Sequence, residues 1–176
     1  MNKPFPTISP DVYCRLCEHA ISNLMLPEDA VRVAVGLKPI EPFTIDKSVI
    51  DGHNDIRRFL KILEELYKKG KKQFEETAPQ IKGTKRTYFG KNPESIFQTG
   101  QSNTPKKIPG SDWYVSSNND PSRKEKIIHD LMIKMKFSFN YAGMISQLCN
   151  SSNKPKLPYK YHSLYIKLKK EIAQSN

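Results

Sequence analysis

Residues 54–69 carry Ile56, Phe59, Leu60, Leu63, Leu66 and Tyr67, and the helical spacing of that series is the tightest constraint on how this chain can fold. Set three and four apart, these side chains line one face of a helix that Asn54 or Asp55 caps and Gly70 breaks. So wide a stripe has to be covered. Two later segments offer the cover. Ile127, Ile128, Leu131, Met132 and Met135 follow Asp120-Pro121, a capping side chain and a residue suited to the first helical turn. Phe139, Ala142, Ile145 and Leu148 then repeat between Ser138 and Cys149 as a last core helix. A shorter helix over 71–77, closed by Pro79, completes the helical part of a core spanning 54–149.

Between these helices the pattern changes. Arg86-Thr87-Tyr88-Phe89 and Trp113-Tyr114-Val115 are rich in strand formers and predict two antiparallel strands. Asn92-Pro93-Glu94 starts a short helix carrying Ile96 and Phe97, and residues 99–111, with Gly100, Pro105, Pro109 and Gly110, read as a loop. The predicted class is α+β, mostly helical with a small antiparallel β-hairpin.

The first 37 residues form a separate pattern. Thr7-Ile8-Ser9 suits a short strand, Val12, Leu16 and Ala20 a first helix, and Ala30, Val31, Ala34 and Leu37 a second helix begun at Pro27. A unit this small cannot bury enough surface alone. It either pairs with a second copy, as ribbon-helix-helix folds do, or packs on the main body. The expected order is a dimerisation module over 1–37, a linker over 38–53, the main domain over 54–149 and a basic tail over 150–176 that ends in a helix around 161–172. Such a linker would let two main domains of one dimer reach sites at variable spacing.

Charge then narrows function. Residues 1–53 hold 5 Lys and Arg against 7 Asp and Glu, whereas 54–176 hold 24 against 11, so all of the net +11 lies after His53. A basic domain of this kind favours a polyanion, above all nucleic acid. No run reaches the ~20 apolar residues of a membrane span, and the first ten residues lack the regions of a signal peptide, so a cytoplasmic protein is expected. Cys14, Cys17 and Cys149 cannot all pair, which fits a reducing compartment. Cys14 and Cys17 share a helix face as small buried or half-buried thiols; structural zinc wants four ligands, and no cofactor or metal is expected. No nucleophile stands beside a base and no glycine loop cradles phosphate, so the chain does not read as an enzyme.

The candidate contact is the loop Ser116-Ser117-Asn118-Asn119-Asp120 with Arg123 and Lys124 behind it. It offers amide edges for bases beside positive charge for phosphate at a helix N-terminus. His53, His129 and His162 lie in separate segments and read as surface or capping residues, and the tail lysines could add unspecific contact with DNA.

Several of these features recur together in one family. Gly83-Thr84-Lys85-Arg86-Thr87-Tyr88-Phe89, Lys106-Lys107-Ile108-Pro109-Gly110, Trp113-Tyr114-Val115, Asn118 and Arg123-Lys124 resemble the SeqA family of negative regulators of replication initiation. The resemblance runs from about 58 to 149, and a weaker one over 7–37 fits Tyr13, His19, Asp29 and Arg32 to the family's dimerisation and filament module. It implies binding of hemimethylated GATC sites in double-stranded DNA by a nucleoid-associated homodimer or filament, and contact with the replication initiator. The loop from Asn118 to Ser122, with Asn119 and Asp120, would reach the methylated adenine in the major groove; Thr84, Lys85, Arg86, Arg123 and Lys124 would meet the backbone. Thr84 stands where the family carries arginine and Asp120 where it carries asparagine. Those departures leave room for an alternative, a DNA-binding and bridging protein with little regard for methylation.

Overall fold

The computed structural model describes residues 8–51, 54–84, 86–97 and 104–175. Its helices are α1 (Pro10–Ser22), α2 (Pro27–Ala34), α3 (Asp55–Lys69), α4 (Lys71–Thr77), α5 (Glu94–Phe97), α6 (Pro121–Lys134), α7 (Phe139–Ser146) and α8 (Tyr159–Ser175). Three strands, β1 (Phe89–Gly90), β2 (Pro105–Lys107) and β3 (Tyr114–Ser116), form an antiparallel sheet in the order β1-β3-β2.

The capping chemistry sets the helix starts. Asn54 accepts from the Arg57 N–H at 3.0 Å, Asp120 from the Arg123 N–H at 2.8 Å and Ser138 from the Tyr141 N–H at 3.2 Å. Phe59, Ile62, Leu63 and Leu66 on α3, Ile127, Ile128 and Leu131 on α6, and Tyr141, Ala142 and Ile145 on α7 are buried in one cluster. Fully burying side chains of this size contributes about 1.5–3 kcal/mol each, so the three-helix face dominates the stability of the body. Gly70 ends α3 where Phe43 and Met135 leave no room: an added Cβ would lie 2.9 Å from each.

Several expectations are corrected here. The hairpin is a three-stranded sheet, because β2 arises within the presumed loop and pairs Lys106 with Val115. The first strand starts later than expected, and Thr87 instead makes an isolated bridge with Lys82. Phe139, assigned to the core, is 73 % exposed because it occupies the first position of α7, ahead of that helix's buried face. Ile8 and Ser9 make no strand pairing among the described residues, and Thr7 lies outside them.

The segment over 38–51 is docked rather than extended. Ile45 and Val49 are buried, the Ile45 N–H donates to the Tyr141 hydroxyl at 2.8 Å, and the Glu41 carboxylate accepts from both the hydroxyl and the N–H of Ser138. Gly52 and His53 lie outside the described residues. The tail folds back as α8 along α1, burying Tyr161 and Tyr165 together with Cys14, Cys17 and Ala20. Ion pairs fasten the contact: Lys160 to Glu28 at 3.0 Å and Lys169 to Glu18 at 2.9 Å. Tyr161 also donates to Glu28. No helix among the described residues is long and apolar enough to cross a membrane.

Candidate nucleic-acid interface

The site starts from two chain reversals held by the sheet. Lys82 pairs with Thr87, and the Gly83 N–H donates to the Arg86 carbonyl at 2.9 Å, so Thr84 and Arg86 project from a tight turn. Gly83 permits a close approach: an added Cβ would lie 2.7 Å from the Tyr88 hydroxyl. On the other side β3 runs into the 116–120 loop. The Ser116 N–H donates to the Tyr88 carbonyl at 2.9 Å, while Ser117 donates to the Thr104 carbonyl through its N–H at 3.1 Å and its hydroxyl at 2.6 Å. The root of the loop is therefore gripped by both neighbouring segments. Ser116 and Ser117 are buried, and Asn118 beyond them is exposed.

The expected site residues then separate by role. Thr84, Arg86 and Arg123 line one shallow cleft of about 290 Å³, with Gly83 and Tyr88 completing it. Arg86 and Arg123 are exposed, and among the described residues neither has a carboxylate partner within ion-pair distance. Asn119 is half-buried and turns its amide inward, donating to the Ser116 carbonyl at 2.7 Å. That bond ties the loop to its own root, and Asn118 beside it is exposed. Asp120 caps α6, one carboxylate oxygen holding the Arg123 N–H at 2.8 Å, so its first job is to fix the helix start behind the loop. Lys85 lies outside the described residues.

Lys124 stands apart from the other expected contacts: only 5 % exposed, it lies on the inner face of α6 with Ile127, Ile128 and Leu131 rather than in the cleft. Its charge acts on the interior. The Asp55 carboxyl is held below the usual carboxylate range by hydrogen bonding from Ser151, assisted by the Lys124 and Arg58 charges. Beside it burial pushes the Cys149 thiol far up, which keeps that cysteine protonated and inert.

Tyr88 and the Ser117 clamp escaped the sequence reading. Tyr88 looked like a strand residue, and its place in the cleft follows from Gly83 packing against it. Cys14 and Cys17 are buried under α8, and burial raises both thiols. No group of three His, Cys, Asp or Glu residues able to hold a metal ion occurs among the described residues.

This geometry lies inside a recognised family boundary. The family model for the SeqA protein C-terminal domain matches residues 43–149, which include α3, the sheet and the whole cleft. Proteins named negative modulator of initiation of replication are similar over part of the chain. The one from Vibrio cholerae serotype O1 is 34 % identical over 102 residues, covering 58 % of this chain and 57 % of its own length. The one from Tolumonas auensis is 37 % identical over 95 residues, covering 54 % of each chain. The chain thus spans under three-fifths of the length of these curated relatives. The crystal structure of V. cholerae SeqA has the same fold, with a TM-score of 0.53 at 23 % identity, covering 74 % of this chain and 98 % of that one.

Proposed function

We propose, from the premise that this chain belongs to the SeqA family, that it is a negative modulator of replication initiation acting by binding hemimethylated GATC sites. The observation that carries the proposal is the cleft itself: Arg86 and Arg123 face solvent with no carboxylate within ion-pair distance among the described residues, beside a loop on which Asn118 is exposed. Arg86 and Arg123 supply phosphate contacts that set register, and Asn118 meets the adenine edge in the major groove. The adenine N6 methyl is a small apolar bump, which a site can be shaped to accept on one strand and reject on both. One such domain has a small footprint. Useful affinity comes from linking two through the 1–37 module as a homodimer or filament, and the same nucleoid-bound assembly in the cytoplasm is placed to meet the replication initiator.

A second reading, DNA bridging with little regard for methylation, draws on two residues. Thr84 carries no charge, and Asp120 is engaged as a helix cap and, as a carboxylate, cannot donate to a base. Binding to duplexes with two GATC sites, unmodified, methylated on one strand or methylated on both, separates the readings. The first predicts that the singly methylated duplex binds at least about tenfold more tightly, a difference of about 1.4 kcal/mol. Equal affinity for all three sinks it and leaves the second.

A further inference from the structure

A pocket of about 430 Å³ lies across Arg123 from the DNA cleft, between the turn after Gln80 and the outer faces of α6 and α7. We propose that it is a second binding site, which takes an acidic peptide segment of a partner protein through one apolar anchor side chain. Its floor is built from Ile81, Tyr88 and Ile127, all buried. Its lip is apolar and outward: Ile133 is 37 % exposed and Phe139 is 73 % exposed. Phe139 is not a loose side chain. Ser138 before it is anchored by Glu41 and caps α7, and the Phe139 ring stands edge-on to His129 at 5.0 Å. An exposed aromatic on a capped helix start, in edge contact with His129 and beside an apolar recess, is the kind of feature that forms the centre of a protein interface.

The charge around the recess selects the partner. Lys82, Arg123, Lys126 and Lys134 rim it against one carboxylate, Asp130, which pairs with Lys126 at 3.1 Å. Lys134 turns to the Gln80 amide oxygen at 3.2 Å, and among the described residues Lys82 and Arg123 have no carboxylate within ion-pair distance. A cationic rim around an apolar floor complements acidic side chains flanking an aromatic or leucine anchor. A DNA duplex suits it less well, since stacked bases cannot enter the recess and phosphates would lie against Phe139 and Ile133. Arg123 and Tyr88 line both sites. Peptide and DNA therefore compete.

Selection of a randomised peptide display library on the full chain, with counter-selection on the Phe139→Ala variant, tests the proposal. The expected peptides are acidic with one aromatic or leucine anchor. Labelled copies should bind the native chain, lose about tenfold or more in affinity on Phe139→Ala, and be displaced by a GATC duplex. Phe139 is exposed enough for its removal to leave melting and DNA binding unchanged, and both are measured alongside. Failure of any acidic class to emerge, or selected peptides that bind Phe139→Ala as well as the native chain, would overturn the assignment. Weakened duplex binding by Phe139→Ala with no peptide binding would also overturn it, showing the pocket to be part of the DNA interface.

Discussion

Lys169 and Arg123 are both exposed cations on helices, and the chain uses them in opposite ways. Lys169 on α8 holds Glu18 at 2.9 Å and lies over the Tyr165 ring, and Lys160 on the same helix holds Glu28 at 3.0 Å. Arg123, at the start of α6, has its backbone N–H fixed by Asp120, while its side chain faces the cleft without a carboxylate partner among the described residues. The excess of positive charge after His53 is thus two populations. One neutralises the acidic N-terminal helices and fastens the tail to them; the other, Arg86 and Arg123 in the cleft, has no carboxylate within ion-pair distance among the described residues and is the one proposed to meet DNA. A net charge cannot tell them apart, because the difference lies in what each cation already touches.

The sharpest way to break that comparison is to remove α8. Deleting 159–175 uncovers Cys14, Cys17 and Ala20 and loses the burial of Tyr161 and Tyr165, which should cost the N-terminal helices roughly 3 kcal/mol. Faster hydrogen exchange in α1 and faster thiol labelling of Cys14 and Cys17 would report it, with affinity for a duplex carrying a single GATC site unchanged. A fall in duplex affinity without a change in α1 protection would mean that α8 contacts DNA.

Arg123→Ala probes the other population. It should weaken duplex binding about tenfold, near 1.4 kcal/mol, with little change in melting temperature. Asp120→Ala should cost about 1 kcal/mol of stability through the lost cap, whereas Asp120→Asn keeps a capping oxygen and costs a few tenths at most; thermal melting distinguishes them. Should Asp120→Asn sharpen the preference for singly methylated GATC, the carboxylate was limiting specificity.

The smallest expected effect is on acid stability. Hydrogen bonding from Lys169 and Tyr165 holds the Glu18 carboxyl below its usual range. Burial pushes Glu28 up, but hydrogen bonds from Tyr161 and Lys160 outweigh it and leave Glu28 lowered as well. A carboxyl lowered by folding stabilises the fold fully above its unfolded pKa, and that contribution is lost as pH falls through the folded value. Glu41 is raised by burial and acts with the opposite sign, since protonating it relieves the fold. Replacing Glu18 and Glu28 by Gln should therefore flatten the loss of melting temperature at acid pH, and Glu41→Gln should steepen it.

What the sequence revealed followed the range of the interactions. Asn54, Asp120 and Ser138 act within three residues of themselves, so the starts of α3, α6 and α7 were legible. β2 was not, because Pro105, Lys106 and Lys107 have little strand preference of their own and are extended by pairing with β3. Pro105 fits there as the first residue of an edge strand, where its missing N–H matters least. Lys124 was assigned by residue type when its spacing already pointed inward: it precedes Ile127, Ile128 and Leu131 by three, four and seven residues. The docking of α8 on α1 joins residues some 150 apart, as in the Lys169–Glu18 pair, and no local pattern announces it.

The comparison between the two populations is tested most directly by the salt dependence of duplex affinity, measured for the native chain, Arg123→Ala and Lys169→Ala. Each phosphate contact steepens the plot of log affinity against log salt by about 0.9. Arg123→Ala should lower the slope by about that amount and Lys169→Ala should leave it unchanged. A slope that falls with Lys169→Ala and holds with Arg123→Ala would contradict the assignment of the cleft as the DNA interface and of α8 as the fastening of the N-terminal helices.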